Sequence, residues 1–341
     1  MRQKKTEAEI DFVIAWVDGS DPNWQKEKQK HLAEFLKDES VVDQGDYRYR
    51  DWDLLQYWFR SVEKYAPWVR KVHFVTCGQI PIWLNVNHPK LHIVNHEDYI
   101  PQEYLPTFNS HTIELNMHRI DGLSEQFVYF NDDMYITQRV APTDFFMNGL
   151  PRDVFALDAI YCAPGSAGSY NCNDLAIINQ RFNKKKQFKK HYKKWIKLCY
   201  GLKRLYQTAV LLPWRWFPGF FYQHLPSNFL KSTLEKVWQV AEAELHETCK
   251  SKFRTKTQVN QWLFKYWQLA EGKFEPQSVK KGKCYHLRDK GVSELCEAIR
   301  QERYALICIN DTDQTTEFEK KKKEIELAFQ CILPEKSEFE R

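Results

Sequence analysis

The sequence predicts an α/β fold with a largely parallel sheet in its first part and a mainly helical second half. Two observations point there. Four short apolar runs in roughly the first 130 residues end at polar residues, as buried strands do, and helical spacing separates them. After about residue 150 the apolar spacing becomes almost wholly helical. These changes divide the chain into an α/β core (1–150), a mainly helical part (151–300) and a closing strand and helix (301–341).

The expected strands are Ile10 to Val17, Val72 to Cys77, Leu91 to Asn95 and Phe127 to Phe130. Trp52, Leu55, Trp58, Phe59 and Val62 recur at three and four residues, which predicts a helix that Pro67 ends. A second helix is expected from about His111 to Ile120. Strands alternating with helices give a parallel sheet.

From Lys184 to Arg204, 10 of 21 residues are Lys or Arg. On a helix, Phe188, Tyr192, Trp195, Ile196 and Cys199 would share one face. Pro213 and Pro218 break the apolar run that follows. Helices are expected from about Asn228 to Lys250, Gln258 to Ala270 and Glu317 to Ile332. A strand from Ala305 to Ile309 is expected to return to the sheet.

Composition narrows the function. Of the 341 residues, 43% are hydrophobic and 28% charged, as in a globular protein. A net charge of +5 is too small to imply nucleic-acid binding, but it suits phosphorylated substrates. Nine cysteines without a CxxC pair fit reduced thiols better than a zinc or disulfide framework. The polar start MRQKKTEAEI and the lack of a long apolar stretch predict a cytoplasmic protein with no membrane span. The basic stretch Lys184 to Lys197 suits an anionic polymer, an anionic lipid surface or plain solvent.

Ligands of open α/β sheets bind beyond the carboxyl ends of the strands. Three strand ends here carry acids or amides: Asp18 to Asp21, Asn131-Asp132-Asp133 and Asn310-Asp311. Adjacent carboxylates can hold Mg²⁺ or Mn²⁺ beside a diphosphate, although Asp and Asn also cap turns. Asp11 opens an apolar strand, where a buried carboxylate needs a partner. Arg50 precedes a helix and could bind phosphate; Asn109 and His111 open another helix, with Arg119 farther along it. His224 could serve as a base and Arg254 could neutralise phosphate charge.

In order, these motifs resemble the four signature regions of the Stealth family. The first is IDFVIAWVDGSD at 10–21. The second runs from Tyr49 to Asp133. The third runs from His224 through Arg254 to Trp267. The fourth comprises Ile309 to Asp311 and LPEKSEFE at 333–340. The resemblance implies a nucleotide-sugar-transferase-like, Rossmann-like sheet and the compact bacterial form of the family. It implies transfer of a hexose-1-phosphate from a UDP-sugar to a growing polysaccharide or oligosaccharide. It also implies an active site containing Asp11, Asp132, Asp133, His224 and Arg254. On this reading His224 or Asp11 takes the acceptor proton, and Asn131, Asp18, Arg50, Asn109, His111 and Arg119 contact substrate. A metal-dependent glycosyltransferase releasing UDP is the nearest rival, and a non-catalytic polyanion-binding protein a more distant one.

Overall fold

A computed structural model describes residues 9–36, 52–161, 168–287, 291–311 and 317–341. Strands β1 (Ile10–Ala15), β2 (Val72–Thr76), β3 (Leu91–Asn95) and β4 (Gln126–Phe130) lie parallel in the order β3-β2-β1-β4. Burial follows the two-residue period of a strand. Phe12 and Ile14 join Trp58, Phe130 and Phe329 on one face of the sheet, and Val13 joins Phe127, Leu234 and Leu263 on the other. Layers on both faces make these strands mostly apolar, the pattern that gives a parallel sheet away in sequence, with Asp11 and His73 as buried exceptions. Each large buried side chain contributes about 1.5–3 kcal/mol.

Helix α1 (Pro22–Phe35) follows β1, with Asp21 as its N-cap. Helix α2 (Leu55–Tyr65) carries the expected apolar face, with Trp58, Phe59 and Val62 buried. The helix expected at His111 is α3 (Ser110–Leu115); it tightens into a short 3₁₀ turn, Met117–Arg119, before β4.

Two expectations about the second half are corrected. Residues Ser227–Leu230 form a strand, β6, instead of starting a helix, and pair antiparallel with β4. Pro226 favours an extended approach, and the free edge of β4 supplies the hydrogen bonds. The helical run then splits at Ala241 into Lys231–Val240 and Glu242–Lys250. The late strand, Leu306–Asn310, does not return to the main sheet. It pairs antiparallel with β5 (Met134–Ile136) and parallel with Gly282–His286 in a second, three-stranded sheet. The turn Asn131-Asp132-Asp133 is therefore the joint between two sheets.

The basic helix spans Lys184–Trp195 and stops too soon for Ile196 and Cys199 to share its face. Trp195 is fully buried and stacks on Phe155 at 4.2 Å, while Tyr192 is exposed. Gly272 ends the helix Trp262–Glu271 at φ 74°, and a Cβ there would lie 2.3 Å from the His191 ring. Only glycine lets the basic helix pack this closely. No described helix is long and apolar enough to cross a membrane.

Candidate active site

Topology gathers one set of residues at the carboxyl edge of the main sheet. Asp18 follows β1 and Asn131 to Asp133 follow β4. Because β6 runs antiparallel to β4, with Ser227 opposite Tyr129, His224, three residues before β6, arrives at the same edge. The strand Leu306–Asn310 also runs antiparallel to its neighbour, so Asn310 and Asp311 end beside Asp133; the Ile309 N–H donates to the Asp133 carbonyl at 2.8 Å.

The contacts are direct. The Asn131 amide nitrogen lies 3.3 Å from Nε2 of the half-buried His224. Nδ1 of His224 lies 3.6 Å from Sγ of Cys308, which donates to Oδ2 of Asp133 at 3.2 Å. Burial opposes charge on His224, but Asp133, then Cys284 and Glu114, outweigh it and push its pKa up to about 9. Burial, Cys284 and Asp133 push the Cys308 thiol far up, so it keeps the proton it donates. Oδ1 of Asp133 is buried with no hydrogen-bond partner. Asp132 is exposed. Arg254 donates to the hydroxyl of Ser110, at the start of α3.

Stealth family models match residues 8–34 (Stealth protein CR1, conserved region 1) and 48–153 (Stealth protein CR2, conserved region 2). A capsular polysaccharide phosphotransferase, WcwK, of Streptococcus pneumoniae is 40% identical over 339 residues, covering 99% of each chain. The chain belongs to the Stealth family. Two other relatives of similar length are the receptor polysaccharide phosphotransferase WefC of Streptococcus gordonii and the exopolysaccharide phosphotransferase cps2G of Lactiplantibacillus plantarum. WefC is 39% identical, covering 97% of this chain and 98% of its own. The second is 38% identical, covering 98% and 96%. A solved active-site mutant of LgtC aligns with 93% of this chain and 95% of its own, at 12% identity and a TM-score of 0.38.

Several residues expected in the Stealth site lie elsewhere. Asp11 pairs in register with Phe127, near the amino ends of the strands and on the far side of the sheet from Asp133. Its fully buried carboxylate is held by Arg70, by His73 at 3.0 Å and by the Ser124 N–H at 2.8 Å. It is a buried ion-pair centre tying β1 to β2 and to the start of β4. Arg119 is at that same far end, donating to Asn116 at 3.1 Å and stacking on Trp238.

Asn109 and His111 are near the right edge but buried in structural bonds. The Asn109 amide donates to the Ser251 carbonyl and to Gln258, and its oxygen caps α3 by accepting from the His111 N–H. The His111 ring contacts Gln258 and Tyr170. Together they clamp the segment carrying Arg254 against α3. Asp18 is at the site edge, with Oδ1 accepting from the Ser20 N–H and hydroxyl. Arg50 lies outside the described residues.

Sequence reasoning passed over Glu114. It is buried one helical turn after Ser110 and accepts from the Tyr129 hydroxyl at 3.5 Å. Burial raises its pKa to about 7, against the pull of Arg254, the Gln261 N–H and His224. The signal was present: positions i and i+4 share a helix face. Cys284 was also missed. Its sulfur, that of Cys308 and a His224 nitrogen lie within 4.8 Å of one another, a soft donor set unlike the oxygens of Asp132 and Asp133.

Two adjacent carboxylates, one with a buried unpaired oxygen, fit a hard divalent cation. Without one, that oxygen forgoes a hydrogen bond at a cost of about 1–3 kcal/mol.

Proposed function

We propose that the chain moves a sugar-1-phosphate, of the N-acetylhexosamine-1-phosphate class, from a UDP-sugar to a hydroxyl of a growing polysaccharide or oligosaccharide and releases UMP. One observation carries this: Asn131, Asp132, Asp133, His224 and the Arg254–Ser110 pair converge on one sheet edge, in a chain that aligns end to end with polysaccharide phosphotransferases. A nucleotide-sugar donor puts the reaction on the cytoplasmic side.

The acceptor oxygen attacks the phosphorus that bears the sugar. The new O–P bond forms as the bond to the UMP oxygen breaks, and positioning and electrostatics supply most of the rate. Arg254 offsets charge on the transferring phosphate. His224, beside Asn131 at the same edge, takes the acceptor's proton as the hydroxyl attacks. Asp132 and Asp133 would hold Mg²⁺ or Mn²⁺, which when bound offsets the charge of the donor diphosphate.

The test is nucleotide release. The protein, a panel of UDP-sugars and a capsule-type oligosaccharide should yield UMP and a phosphodiester product. UDP without UMP would replace this reading with glycosyl transfer.

A further inference from the structure

Among the described residues, the exposed large apolar side chains are concentrated where the chain's charge is most one-sided. Between Asp174 and Glu235 there is no acidic residue, while the same stretch holds 13 Lys or Arg. That excess exceeds the net charge of the whole chain. Within this stretch the helix Leu202–Leu211 presents Leu202, Tyr206 and Val210 to solvent, 80%, 74% and 55% exposed. Their spacing of four residues puts them on one face.

The helix is seated by its other side. Thr208 is buried and accepts from the Leu157 N–H, Leu205 and Leu212 pack on the core, and Arg204 stacks on Phe221 at 3.5 Å. Leu198, before the helix, and Trp214, after it, extend the exposed apolar surface. The neighbouring basic helix carries the exposed lysines Lys185, Lys189 and Lys193, also four residues apart.

We propose that this surface docks on an anionic lipid bilayer, with Leu198, Leu202, Tyr206, Val210 and Trp214 entering the headgroup region and the lysines facing lipid phosphates. An apolar helix face flanked by Lys and Arg, with Trp and Tyr at its margin, is what an interfacial helix requires. The carboxylates that reach this region from other elements are half-buried and already partnered, Asp158 by Gln207 and Glu275 by Lys194, so a symmetric contact with a second copy would set like charges against each other, which favours a lipid surface. The aromatic face of the basic helix cannot serve, because Trp195 is in the core. From the docking helix the chain runs through Phe217 and Phe220 to His224, so docking would place the site beside the membrane.

Co-sedimentation of the full chain with vesicles tests this. Phosphatidylglycerol–phosphatidylcholine vesicles should bind the protein at low salt, and phosphatidylcholine alone should bind it far less. Leu202→Ser/Tyr206→Ser/Val210→Ser should weaken binding at least about tenfold. Lys185→Gln/Lys189→Gln/Lys193→Gln should cost up to about fivefold per lysine, most strongly at low salt. Both variants should keep the wild-type melting curve, because the altered side chains are exposed. The proposal is overturned if wild type ignores anionic vesicles at low salt, or if the apolar variant binds them as tightly. It is equally overturned if sedimentation velocity shows a wild-type dimer that the apolar variant splits without any change in vesicle binding.

Discussion

The amide of Asn131 meets Nε2 of His224 at 3.3 Å, although 93 residues separate them in the chain. Their meeting depends on β6 running antiparallel beside β4, which brings the segment before Ser227 to the end of Tyr129-Phe130. Replacing His224 by Ala should lower kcat by about 10²–10⁴. Asn131→Ala should give a smaller loss, because it loosens the ring without removing it. Steady-state kinetics alongside melting curves check this. A His224→Ala enzyme with near-normal kcat would remove the residue from the mechanism.

Asp133 should set function against stability. Its Oδ1 is buried without a hydrogen bond, so the folded protein tolerates this carboxylate at a cost. Asp133→Asn should abolish transfer yet change the stability of the apoprotein by no more than about 1 kcal/mol, because the amide oxygen can still accept from Cys308. Thermal melts in EDTA read the stability, and Mg²⁺ or Mn²⁺ titration should raise the melting temperature of wild type only. Loss of stability on this substitution would mean that the carboxylate is a structural partner instead.

How much of this was legible in sequence depends on where the restraints lie. Strands β1 to β4 could be read directly, because two covered sheet faces leave short, mostly apolar runs rich in Val, Ile and Phe. Ser227–Leu230 could not, since its identity depends on the β4 edge it pairs with. Asp132 and Asp133 stood out because two anions side by side after a strand are unusual. Asn109 and His111 carried the right chemistry, but their partners Ser251 and Gln258 are more than 140 residues away, so the sequence could not tell a clamp from a ligand. Glu114 was hidden by its ordinary place inside a helix, where only burial makes a carboxylate notable.

Asp11 should matter to folding and not to catalysis. His73, Arg70 and the Ser124 N–H together outweigh the burial penalty and hold its carboxyl below the ordinary value of 3.8. A depressed carboxylate contributes stability above its unfolded-state value and loses it as pH falls through the folded one. Wild type should therefore lose this contribution only below about pH 4. Asp11→Ala should cost about 3–5 kcal/mol at neutral pH, because Arg70 and His73 lose a buried counter-charge. Urea unfolding across pH, with kcat measured on the folded fraction, separates the roles. A large fall in kcat without a fall in stability would restore Asp11 to the active site.

Glu114 is the opposite case. Burial raises its pKa to about 7, so from about pH 4.5 to 7 the folded protein keeps a proton that the unfolded chain releases. Stability should fall as pH rises across that window. Glu114→Gln keeps the shape and removes the ionisation. The variant should melt like wild type near pH 4 and above it at pH 8. Its kinetics should locate the functional role, because Glu114 lies within electrostatic reach of both Arg254 and His224. If ionised Glu114 helps hold these cations in place, kcat should rise with pH through about 7 in wild type, and Glu114→Gln should flatten that limb while changing KM little. An unchanged pH–kcat profile with the stability difference intact would make Glu114 a buried support for Tyr129 and nothing more.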